Sequence, residues 1–102
     1  MEPDAAKYLF DIGQACRKIA EFSAGKSLAD YEANDLLRSG VERQFEVVGE
    51  ALSQLAPIRP EVAARISDFR QVISFRNVLA HAYAEIDDRL VWDMTQTRVG
   101  RL

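Results

Sequence analysis

Between residues 35 and 58 the apolar side chains Leu37, Val41, Phe45, Val48, Leu52 and Leu55 recur at intervals of four, four, three, four and three. That period belongs to one face of an α-helix, because 3.6 residues per turn return a side chain to the same side every three or four positions. The stripe predicts a long amphipathic helix opened by Asn34 or Asp35 and ended before "PIRP", where two prolines in four residues break the pattern.

The rest of the chain follows the same period. Asp4 can cap a first helix with Tyr8, Leu9, Ile12, Cys16, Ile19 and Phe22 on its apolar face, and Gly25 is its expected stop. "KSLADYEAND" reads as a polar connector with about one helical turn. A short helix over about 61–66 and a longer one over about 68–84 follow. A last helix, capped by Asp87 or Asp88, carries Leu90, Val91 and Met94. No segment alternates as a strand would. The expectation is all-α: an antiparallel four- to five-helix bundle formed by residues 1–102 as one domain.

Composition narrows the partners. No apolar run approaches the ~20 residues that span a bilayer, and "MEPDAAKYLF" has no basic segment of the signal-peptide kind. A lone cysteine, Cys16, excludes an intramolecular disulfide and fits a reducing, cytoplasmic setting, with the thiol expected in the core. The net charge of −3 argues against a general nucleic-acid grip. Its distribution moderates that conclusion, since residues 1–50 hold 6 basic and 10 acidic side chains and residues 51–102 hold 7 and 6. Ten of the 13 basic residues are Arg, whose planar donor fork suits phosphate, although a compositional origin explains the excess equally well.

The chemistry concentrates in "ISFRNVLAHAY", residues 73–83. At about 100° per residue, Val72, Phe75, Leu79, Ala82 and Ile86 make a core stripe, and Arg70, Ser74, Asn77 and His81 make a second stripe opposite. Arg76 and Tyr83, seven apart, share the shoulder between them, and His81 lies about 140° from Arg76. Such a face reads plainly as solvated surface with a lone histidine, or else as one that buries a hydrogen-bonded His81. The joint presence of guanidinium, carboxamide, imidazole and phenol gives the competing reading. His81 can exchange a proton near neutral pH. Arg76 stays charged and can stabilise phosphate oxygens in a transition state, and Asn77 can orient the imidazole. That set suits metal-free cleavage of an RNA phosphodiester by its own 2′-hydroxyl. A Glu-x-x-His pair for a carboxylate-bridged metal is absent, because Val78 stands three residues before His81. No cofactor or metal is expected.

"RNVLAHAY" resembles the R-N-x-x-x-H-x-Y signature of the HEPN superfamily, specifically that of HepT-type ribonuclease toxins. The likeness extends to "RQFEVVGEAL", similar to the family's long helix with its Gly-Glu-Ala step, and to "YAEIDDRLVW", similar to the acidic turn and aromatic-bearing helix after the motif. The resemblance implies a homodimer that joins the motifs of both subunits in one cleft, with Arg76 and His81 catalytic and Asn77 supporting. It also implies a partner, a small MNT-type nucleotidyltransferase antitoxin, which would attach AMP to Tyr83. Arg70, with Arg65 and Arg59, is the candidate contact for RNA phosphates. The alternative is a non-catalytic helical module that binds a nucleotide or the nucleotidyltransferase through the same cleft. Gly49 is expected to permit close helix packing, and Glu46 and Glu50 either pair with Arg43 or face the cleft.

Overall fold

The computed structural model describes residues 3–66 and 88–97, and every regular element among them is helical. The elements are α1 (Pro3–Ser23), α2 (Leu28–Ala33), α3 (Asp35–Ile58), α4 (Pro60–Ala63) and α5 (Asp88–Thr97). The helix expected over about 68–84 lies outside the described residues. No described helix is long and apolar enough to cross a membrane.

The α3 stripe is buried as its spacing demands. Val41, Phe45, Val48, Leu52 and Leu55 have no exposed surface, and Leu37 is 9 % exposed. Each such side chain contributes about 1.5–3 kcal/mol by leaving water, which makes α3 the spine of the fold. Asn34 caps it, its Oδ1 accepting from the Leu37 amide at 3.0 Å. The helix runs two residues further than expected, through Pro57 and Ile58. Proline removes an amide there, but in the last turn little ladder remains to lose. The stop comes at Arg59, which leaves the helical conformation (φ −142°, ψ 69°) as the residue before Pro60 tends to do.

Packed along α3 is α1, running the opposite way. Its C-terminal Phe22 ring sits 3.3 Å from where a Cβ on Gly40 would lie, while its N-terminal Tyr8 shares a groove with Ala51. Ala5, Ile12, Ala15 and Ile19 form the buried face of α1, with Tyr8, Leu9 and Cys16 half-buried against it. Phe22 departs from expectation. It is 36 % exposed because it lies across the small Gly40 at the rim, outside the core. Gly25 ends the turn after α1 with a φ of 70°, a conformation that favours glycine.

The presumed connector is a true helix. In α2, Ser27 and Asp30 form a reciprocal capping box, each side chain accepting from the other's amide. These bonds hold the Asp30 carboxyl below its ordinary pKa. Tyr31 is fully buried, and its ring meets Trp92 of α5 at a centroid distance of 5.4 Å. On α5, Val91 and Met94 are buried, whereas Leu90, about 100° around the helix from Val91, is 50 % exposed. The short helix after α3 covers 60–63 and relaxes into a turn at 64–65. A single apolar cluster joins side chains from all five helices.

Candidate functional site

Arg70, Arg76, Asn77, His81 and Tyr83 lie outside the described residues. What the fold does fix is the position of the chain on either side of them. Ile66 leaves the α3–α4 corner, its amide bonded to the Ala63 carbonyl at 3.0 Å and its side chain packed on the core. Asp88 re-enters beside Arg38, 3.9 Å from the guanidinium, at the opposite end of α3. At 1.5 Å per residue, Arg38 and Arg59 stand about 30 Å apart along that helix. The motif's two flanks are therefore held at the two ends of the spine.

The Asp88 flank is a cluster that sequence reading did not single out. Arg38 donates to the Tyr31 carbonyl at 3.3 Å and to the Glu32 carbonyl, and pairs with both Asp35 and Asp88. Glu42, one turn further along α3, is half-buried. Desolvation first, and then the Asp88 and Glu46 carboxylates, raise its pKa against the opposing pull of Arg38. The same burial, with Glu42 and Asp88 nearby, raises the Tyr31 phenol, whose hydroxyl is buried without a hydrogen-bond partner. The available clue was the Asp87–Asp88 doublet. Its partner, fifty residues upstream, carries no local signal.

At the other end, Arg59 is half-buried and pairs with Glu61 at 3.0 Å, while Arg65 is exposed. Of the two expected phosphate contacts that the structure describes, Arg65 is the one freely presented to solvent. Between the ends, α1 and α3 frame a groove of about 400 Å³ whose lining includes Lys7, Tyr8, Asp11, Arg43, Glu46, Glu50 and Gln54. Its three carboxylates outnumber Lys7 and Arg43, which makes it a poor cradle for phosphate. Arg43 pairs with Glu46 at 3.4 Å, and Glu50 accepts from Gln54 at 3.3 Å. Gly49 is buried on α3, as close packing there would require. Among the described residues no cluster of His, Cys, Asp and Glu is arranged to hold a metal ion.

An all-helical bundle built on a Gly-Glu-Ala spine, with the Arg76–His81 motif between its anchored flanks, matches a known class. The family model described as "Ribonuclease HepT-like" matches residues 12–102, and the chain belongs to that family. Among curated proteins, it is 29 % identical over 99 residues to "Probable ribonuclease HepT" of Thermococcus cleftensis, covering 93 % of this chain and 86 % of that one. Proteins named "Putative RNase" are similar as well. One from Methanocaldococcus jannaschii is 25 % identical over 99 residues, with 97 % and 90 % of the two chains covered. Another, from Caldanaerobacter subterraneus, is 27 % identical over 95 residues, with 93 % and 84 % covered. No solved structure gives a significant match.

Proposed function

We propose that the protein is the toxin of a type VII toxin–antitoxin pair, a metal-independent endoribonuclease acting from a cleft shared by two subunits. The observation that carries the reading is the R-N-x-x-x-H-x-Y spacing at Arg76, Asn77, His81 and Tyr83, inside the span matched by a ribonuclease family model. His81 serves as the proton-transfer group for a ribose 2′-hydroxyl attacking the adjacent phosphodiester. The leaving 5′-oxygen takes up a proton, and a 2′,3′-cyclic phosphate remains. Arg76 offsets the charge that builds on the non-bridging oxygens, Asn77 orients the imidazole, and Arg70 with Arg65 guides the RNA backbone.

The nucleotidyltransferase antitoxin would silence this chemistry by placing AMP on Tyr83. Each added phosphodiester brings negative charge and bulk beside Arg76, where a substrate phosphate must sit. One experiment with two arms tests the proposal. Purified protein should cleave RNA in the presence of EDTA, and His81→Ala or Arg76→Ala should each lower the rate by about 100-fold or more. On co-expression with a nucleotidyltransferase of this type, the wild type should gain mass in whole AMP units and Tyr83→Phe should not. Activity lost to EDTA and restored by a divalent ion overturns the metal-free mechanism. Undiminished toxicity of His81→Ala favours a binding module instead.

A further inference from the structure

We propose that Arg38 is a positioning residue, which fixes the downstream end of the motif-bearing segment by holding Asp88 against the α2–α3 corner. The inference rests on the reading of Arg76 and His81 as the cleavage pair. Asp88 is the first residue of α5, five positions after Tyr83 and seven after His81. Where Asp88 sits therefore bounds where those side chains can reach.

Four groups converge on the Arg38 guanidinium: the carbonyls of Tyr31 and Glu32 at the end of α2, the Asp35 carboxylate on α3, and the Asp88 carboxylate on α5. Only a planar fork with five donors can serve so many acceptors at once. Its side chain is 22 % exposed and that of Asp88 30 %, so water screens the pair incompletely. The surroundings make this cation hard to do without. Asp35, Glu42 and Asp88 all lie close to Arg38, and the Asp88 carboxylate disfavours charge on Glu42. Without Arg38 that repulsion would push the start of α5 outwards.

The Tyr31–Trp92 contact holds the body of α5 through two tilted rings. The Arg38–Asp88 pair adds a charge attraction at the first residue of that helix. The upstream flank is secured separately at Ile66, which packs on the core after α4, so losing Arg38 releases one end of the segment and leaves the other in place. Small misplacements of reacting groups are costly, an ångström being worth on the order of 100-fold in rate.

The test combines kinetics with hydrogen exchange, both at a temperature where every variant is fully folded. Arg38→Gln is expected to lower kcat for RNA cleavage about tenfold or more while KM stays within about twofold. Asp88→Asn should reproduce the effect, and the double variant should be no worse than Arg38→Gln alone. Peptides covering 86–92 should exchange faster in Arg38→Gln, and peptides covering 8–20 should not. Arg38→Lys restores charge without the fork and should recover part of kcat. Unchanged kcat in Asp88→Asn, or additive losses in the double variant, overturns the proposal. A wild type without RNase activity overturns the functional reading itself. The exchange arm is independent of it, and equal protection of 86–92 in both proteins shows that Arg38 does not anchor Asp88.

Discussion

Glu42 shows how one half-buried carboxylate couples this fold to pH. Its folded-state pKa is raised, first by burial and then by Asp88, so the folded protein binds a proton more tightly there than the unfolded chain does. The stability this brings is fully present below the unfolded carboxylate pKa and is lost as pH rises through the raised folded value. At neutral pH the charge is a cost. Glu42→Gln should therefore unfold at higher urea than the wild type at pH 7, with the advantage shrinking towards zero near pH 4. Equal midpoints at pH 7 would show that Arg38 already neutralises the carboxylate. None of this was legible in the sequence, where Glu42 is one acid among ten in the first fifty residues. Its behaviour depends on Asp88, brought close by the fold.

At the scale of elements, legibility followed the strength of the period. The α3 stripe was readable because six apolar positions repeat without interruption, and all six are buried. Phe22 departs from its stripe because it stands where the α1 face turns away from the bundle, and periodicity alone does not say how wide the buried arc is. The α2 helix was under-read. Its six residues are too few for a periodic signal, although Ser27-x-x-Asp30 already carried the capping-box signature that stabilises it. That capping box contributes more than its exposed position suggests, because α2 presents Tyr31 to α5 and two carbonyls to Arg38. Ser27→Ala is expected to cost about 1 kcal/mol in urea unfolding. A loss below about 0.3 kcal/mol would mean that the Tyr31–Trp92 packing holds α2 without its cap. The motif of the candidate site was legible as a spacing. Its supporting cluster was not, because Arg38 and Asp88 are fifty residues apart.

The whole molecule takes its shape from α3. Extents of 42 × 29 × 19 Å reflect a helix of 24 residues, about 36 Å long, with shorter elements laid along it. If two copies share one cleft, as the proposed function requires, light scattering at micromolar concentration should give about twice the 11.5 kDa chain mass. A stable monomer would remove the shared cleft. A different consequence follows from Cys16, half-buried on α1, where desolvation pushes its thiol up to about 11. At pH 8 roughly one such thiol in a thousand is ionised, against about a quarter of free cysteines, and the thiolate is the species that alkylates. Iodoacetamide should therefore modify the native protein roughly 250-fold more slowly than a free thiol, at a rate that rises along the denaturation curve. A free-thiol rate in native buffer would mean that α1 opens readily. Being the chain's single cysteine, Cys16 is a built-in chemical clock that counts how often the bundle opens.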